Sequence, residues 1–124
     1  PYTTLFRSMI DHVNAHGTGT VMNDFAEARA MQTIFGDRAA QVPCSSTKPV
    51  TGHCLGATPA LEAVLAVAAL SHQCIPPTAN YHQPDPGCAI DPVPLKARPG
   101  RLQHVMSNSL GFWGYHASLI FSRV

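Results

Sequence analysis

The leading residues, Pro1 to Ser8, carry apolar positions that repeat at no element's period, and a pattern begins only at Met9. Ile10 to Ala15, with Val13 inside it, predicts a short strand running into the glycine-rich turn His16-Gly17-Thr18-Gly19-Thr20. Phe25, Ala28, Met31 or Gln32 and Phe35 recur at helical spacing. Asn23 or Asp24 stands where that helix needs a cap, and Glu27 follows Asp24 by three residues, as in a capping box. Gly36 ends the run, and Gln41 to Cys44 predicts a brief strand before the turn Ser45-Ser46-Thr47-Lys48-Pro49.

Within the stretch from Thr51 to Ile75, Ala57 to Leu70 is apolar on all sides apart from Glu62, its one charge. A helix that is apolar all round is buried all round. A chain of 124 residues has room for one modest core and little with which to wrap such a helix. The pattern therefore predicts a central helix held between two layers, some of them outside this chain. Pro76 and Pro77 are expected to stop it. Asn80 to Gly100 is proline-rich and reads as a surface connection. His104 to Ser109 and Tyr115 to Val124 predict a hairpin around Leu110-Gly111-Phe112-Trp113-Gly114. The order is β-α-β-α-β-β, an α/β chain without internal repeats.

Composition sharpens this in three ways. Charged residues make up 12% of the chain, against roughly a quarter in ordinary soluble domains, so part of the surface is expected to lie under another segment or subunit. The formal net charge is +1 without a basic run, which argues against nucleic acid as a partner. The apolar run Val64 to Leu70, one residue longer with Ala63, is far below the ~20 residues of a membrane helix. The four cysteines, Cys44, Cys54, Cys74 and Cys88, form no C-x-x-C pair and read as thiols of a reducing cytosol. Pro1 to Ser8 is also what the end of a widely used DNA-sequencing adapter would encode. It is set aside from the fold as an expected artefact, leaving residues 9–124 as the domain and implying that the natural protein continues upstream.

Seven histidines invite a metal reading. His12 and His16 have the i, i+4 spacing of a helical zinc site, but the segment reads as a strand and no glutamate follows His12. His72, His82 and His104 fall in polar or loop settings and read as solvated. His16 and His53 each end an element against glycine, which lets a substrate approach an imidazole held in place by its turn. Such a ring can donate to a developing oxyanion or exchange a proton; a packed core histidine fits the same pattern equally well. Lys48 precedes the apolar helix and is the natural partner for Glu62, since a lone buried carboxylate is unstable.

Three ordered motifs carry a resemblance. Asn14-Ala15-His16-Gly17-Thr18-Gly19-Thr20 with Asn23, Asp24 and Glu27 resembles the first histidine motif of β-ketoacyl synthases. Ser46-Thr47-Lys48-Pro49-Val50-Thr51-Gly52-His53 is similar to their lysine–histidine motif, and Asn108-Ser109-Leu110-Gly111-Phe112-Trp113-Gly114 to their closing loop. The separations, 32 residues from His16 to Lys48, 5 on to His53 and 14 from Lys48 to Glu62, match the family as well.

The resemblance implies the C-terminal half of a thiolase-like layered αβαβα fold, with a mixed sheet and a buried central helix. It implies decarboxylating Claisen condensation of an acyl thioester with malonyl-acyl-carrier protein, in fatty-acid or polyketide synthesis. The substrates ride on phosphopantetheine and no cofactor is required. The implied partners are acyl-carrier protein and a second subunit of a cytoplasmic homodimer. The nucleophilic cysteine belongs to the other half, so the chain alone is expected to be inactive; a non-catalytic ketosynthase-like partner subunit is the alternative. By motif position His16 and His53 stabilise the enolate, and Lys48 with Glu62 forms the ion pair that orders them. Thr18 and Thr20 hold the pantetheine arm, and Phe112 gates the acyl pocket. Asn14, Ala15 through its carbonyl, Glu62, Ser107 and Asn108 match positions that hold a monovalent cation in some members. The departure lies at the gate, where Leu110, Trp113, Tyr115 and His116 replace the usual residues, Trp113 standing for a glycine.

Overall fold

A computed structural model describes residues 4–124, so Pro1 to Thr3 of the suspected leader lie outside the described residues. The rest of that leader is exposed up to a single 3-10 turn at Arg7–Met9. Strands β1 (His12–Asn14), β2 (Cys44–Ser45), β5 (His104–Leu110) and β6 (His116–Ser122) form one sheet in the order β2-β1-β5-β6. β1 runs parallel to both neighbours, Val13 beside Cys44 and Asn14 beside Ser107, whereas β6 turns back antiparallel on β5. The sheet is mixed, as the resemblance implies.

Helices α1 (Val21–Phe35) and α3 (Thr58–His72) cover opposite faces of this sheet. Met31 and Phe35 of α1 share a core with Val13, Cys44 and Met106, while Ala66, Ala69 and Leu70 of α3 pack with Val105 and Phe121. Val105 and Met106 are successive residues of one strand, and successive strand side chains point to opposite faces. His12, Asn14, Ser45 and Ser107, out of phase with Val13, Cys44 and Met106, therefore lie on the α3 side.

Local chemistry moved several boundaries. Thr20, not Asn23 or Asp24, caps α1, its hydroxyl accepting the Asn23 amide at 3.4 Å. The predicted capping box does not form, because Asp24 and Glu27 are turned back onto the preceding loop. Lys48–Thr51 closes one helical turn, α2, where only a turn was expected. α3 ends at His72, three residues before the expected stop, because Gln73 adopts a left-handed conformation (φ 51°, ψ 43°). The Gln73 amide holds that exit by donating to the carbonyls of Leu70 and Leu102. Cys74–Ile75 (β3) then pairs antiparallel with Arg98–Pro99 (β4), a ribbon the proline-rich sequence concealed. Gly100 follows the ribbon, and a Cβ there would come within 2.6 Å of the Ile75 side chain, which would have to shift.

The expectation that α3 is buried on every face requires correction for this chain alone. Thr58, Glu62, Ala66, Ala69 and Leu70 are buried, but Val64 is 66% exposed, and Leu61 and Val67 also reach the surface. With the preceding turn, Leu55–His72 is long and apolar enough to cross a membrane by composition. Its packing on β5 and its buried Glu62 make it a core helix instead.

Candidate active site

Because β1, β2 and β5 are parallel, their C-terminal ends share one edge of the sheet, the place where open α/β sheets bind ligands. His16 follows β1, Lys48 follows β2, and His53 lies in the link from α2 to α3. The His16 and His53 rings meet edge to face, centroids 5.4 Å apart, beside a cleft of about 430 Å³ whose walls include Gly17, Thr18, Lys48 and His53. Two residues 37 positions apart in sequence thus meet ring to ring, His53 in the wall of the cleft and His16 against it.

The turn that carries His16 is clamped from below. Glu27 of α1 accepts the backbone amides of His16 (2.9 Å) and Gly17 (2.6 Å), and the Asn23 side-chain amide donates to it at 2.8 Å. Gly17 has φ 46°, and a Cβ there would stand 2.4 Å from that of Ser46. The Ser46 hydroxyl donates to the Gly17 carbonyl at 2.9 Å, which ties the His16 turn to the strand end that delivers Lys48. His16 itself is buried, and its pKa is lowered to about 4, first by desolvation and then by the Lys48 charge and neighbouring His53. It is therefore neutral at pH 7.

His53 is oriented by its Nδ1 atom. The Leu55 amide donates to Nδ1 at 3.2 Å, and the Thr58 hydroxyl lies 3.1 Å from it. An amide nitrogen can only donate, so Nδ1 is the acceptor and, in the neutral ring, Nε2 carries the proton. Behind the rings, the Lys48 ammonium meets Glu62 Oε1 at 2.5 Å, both side chains almost wholly buried. Burial pushes the Glu62 carboxyl up, against the pull of the Lys48 hydrogen bond and charge. Glu62 Oε2 has no donor among the described residues.

Comparison with known proteins decides the family. Residues 3–82 match the family described as beta-ketoacyl synthase, C-terminal domain. Over 115 residues the chain is 50% identical to the 3-oxoacyl-[acyl-carrier-protein] synthase 2 of Coxiella burnetii, covering 93% of this chain and 28% of that protein. The chain belongs to the β-ketoacyl synthase family. It superposes on the ishigamide ketosynthase/chain length factor with a TM-score of 0.92 and 38% identity, over 97% of this chain and 29% of that one. It superposes also on a type II polyketide acyl-carrier protein in complex with its ketosynthase bound to the hexaketide (TM-score 0.91, 33% identity, 94% and 29% covered). The chain thus spans less than a third of the length of these relatives, and its fold is that of thiolase-like ketosynthases.

Against this family, the sequence reading finds most of its residues in one place. His16, His53, Lys48 and Glu62 converge; Thr18 lines the cleft, its hydroxyl 3.1 Å from that of Thr20, which is exposed. Asn14 donates to Ser107 at 3.2 Å and leaves its Oδ1 buried without a donor among the described residues. Asn108 Oδ1 accepts the Ser118 hydroxyl, and Ala15 is buried one residue from His16.

Phe112 stands apart: it is 80% exposed on the β5–β6 hairpin tip and does not line the cleft. Trp113, which stands where the family's loop has a glycine, adopts the left-handed angles φ 65°, ψ 18° that glycine favours. The Glu27 clamp and the Ser46 staple were invisible in sequence, where Glu27 read as a capping-box residue and Ser46 only as a motif letter. Two cysteines line the cleft, but burial pushes the Cys44 and Cys88 thiols up, which suits neither as a nucleophile.

Proposed function

We propose that this chain is the C-terminal catalytic part of a β-ketoacyl-acyl-carrier-protein synthase, performing decarboxylating Claisen condensation in fatty-acid or polyketide synthesis. The observation that carries it is the convergence of His16 with His53, a proton held on Nε2 of His53, in front of the buried Lys48–Glu62 pair. In the reaction the bond between the malonyl carboxylate and its α-carbon breaks, and its electron pair passes into the thioester as an enolate while carbon dioxide leaves. Nε2–H of His53 donates to the enolate oxygen, and neutral His16 shares the same oxygen or its immediate surroundings. The α-carbon then attacks the acyl thioester on the enzyme's cysteine, which leaves as thiolate; that cysteine lies in the part of the synthase outside this chain. A neutral His16 suits this role because it donates a hydrogen bond without placing a second cation beside Lys48.

Thr18 and Thr20, at the rim, hold the pantetheine arm, and Phe112 gates the acyl group. The buried oxygens of Asn14 and Glu62 that lack donors are the hard ligands a monovalent cation requires, with the Ala15 carbonyl, Ser107 and Asn108 beside them in the motif. Such an ion would supply fixed positive charge for the site's structure. Substrates arrive on the phosphopantetheine of acyl-carrier protein, with no further cofactor, in a cytoplasmic homodimer. The superposition on a ketosynthase/chain length factor keeps a non-catalytic partner subunit as the competing reading.

The test is a hybrid synthase in which residues 9–124 replace the matched stretch of the Coxiella burnetii relative. The hybrid should condense acyl and malonyl thioesters, and His16→Ala or His53→Ala should each lower kcat about 10²–10³-fold, the usual effect of losing an oxyanion donor. A hybrid whose activity survives loss of both histidines would refute the mechanism; a folded hybrid that binds carrier protein without condensing would favour the partner subunit.

A further inference from the structure

His53 holds its ring with more than one hydrogen bond on the same atom. The Leu55 amide reaches Nδ1 at 3.2 Å and the Thr58 hydroxyl at 3.1 Å, two donors for a single lone pair. Because Nδ1 accepts from the amide, the hydroxyl at the same nitrogen must donate as well. One hydrogen bond lets an imidazole swing about the contact, whereas a second from another direction fixes its plane. The ring is exposed in this chain, so these bonds rather than surrounding side chains orient it.

The two donors come from a segment shaped around the ring. Leu55 has φ 49°, a left-handed conformation that a residue with a branched side chain seldom adopts, and such backbone gathers where a site requires it. Thr58 opens α3, and a threonine at a helix start commonly serves the helix by accepting a backbone amide. Among the described residues, however, its hydroxyl is bonded to His53 alone, and the residue is 2% exposed. A ring that turned away would leave that hydroxyl buried without a partner, a cost that holds the ring where it is. One turn further along the same buried helix face, Glu62 meets Lys48. The start of α3 thus anchors both His53 and the ion pair behind it.

We propose that Thr58 is a positioning residue, whose buried hydroxyl fixes the plane of the His53 ring together with the Leu55 amide and so presents Nε2–H to the cleft. This rests on the condensing function proposed above and names the side chain that aims its proton donor.

The experiment uses the hybrid synthase. Thr58→Val keeps the shape of the side chain and removes the donor, while Thr58→Ser keeps the donor. In Thr58→Val kcat should fall about fivefold, the worth of one neutral hydrogen bond, with little change in KM for either thioester. Thr58→Ser should recover most of that loss. With 15N-labelled histidine, the His53 Nδ1 resonance, assigned by its absence in His53→Gln, should move downfield in Thr58→Val and return in Thr58→Ser. Should valine prevent folding, Thr58→Ala compared with Thr58→Ser carries the same test.

An unchanged kcat in the folded valine variant would overturn the inference while leaving the condensing function intact. So would a loss of kcat that serine does not restore, or one that leaves the Nδ1 resonance in place, since a threonine that merely packs the helix start gives that pattern. A folded hybrid that does not condense with Thr58 in place, or that keeps its kcat in His53→Ala, would overturn the condensing function and this inference together.

Discussion

Replacing Lys48 by methionine in the hybrid synthase isolates the electrostatics on which the site depends. Glu62 is fully buried, its one partner is Lys48 at 2.5 Å, and its second oxygen already lacks a donor among the described residues. Methionine keeps the length and apolar bulk of the lysine stem but leaves a carboxylate uncompensated. Breaking a buried pair on one side costs about 3–5 kcal/mol.

The pH dependence gives the signature. Burial already raises the Glu62 carboxyl above its ordinary value, and only Lys48 opposes that shift strongly. With Lys48 gone, the folded state binds a proton that the unfolded state releases once the pH exceeds the ordinary carboxyl range. The deficit should therefore be small below that range and grow as the pH rises towards the new, higher folded value.

Urea denaturation followed by circular dichroism from acid to neutral pH measures it. Glu62→Gln in the Lys48→Met background should recover most of the loss at pH 7, because a neutral amide replaces the stranded charge. A deficit that does not vary with pH, or one that Glu62→Gln leaves unchanged, would refute the argument.

Further outcomes follow from the same geometry. His12, fully buried with Nε2 3.0 Å from the Ser45 hydroxyl, and His16 both have pKa values lowered to about 4, so unfolding takes up protons between about pH 6.5 and 4. Acid should remove up to about 3 kcal/mol per histidine across that window, and His12→Gln should flatten the loss in a pH series of denaturation curves. Glu27→Gln keeps one acceptor for the two amides of the His16 turn and should lower kcat several-fold with little change in KM; an unchanged kcat would remove Glu27 from the positioning of His16. The isolated 124-residue chain should not condense thioesters, because the cysteine nucleophile proposed above lies outside it. It should also bind an apolar dye through Leu61, Val64 and Val67 of α3, and a monodisperse, dye-silent monomer would contradict that. Deleting Pro1 to Ser8 should leave thermal stability unchanged.

What was legible from sequence was whatever short-range physics or motif spacing encodes. The strand–turn at His16, the period of α1, the all-apolar run of α3 and the hairpin around Gly111 are all local signals, and each appears within a few residues of its predicted place. The pairing of Lys48 with Glu62 was legible too, because an apolar helix tolerates one carboxylate only if a cation finds it. Residues that act through backbone atoms of distant segments were not legible. Glu27 looked like a capping-box residue because its spacing from Asp24 suits one, yet two unpaired amides of the preceding turn offered its carboxylate a better site. Thr20 took the cap for the same reason.

The ribbon of β3 with β4 was hidden because Arg98–Pro99 has no strand signature and pairs only where Gln73 bends the chain. Trp113 shows the limit most directly. Intrinsic preference argues against a left-handed tryptophan by about 1–2 kcal/mol, and the geometry of the hairpin outweighs it. Local pattern and motif spacing thus determined which candidate residues the chain carries. The parallel register of β1 with β2 and β5 decided that His16, Lys48 and the hairpin tip meet at one edge, because register is set by packing across strands and no single segment contains it.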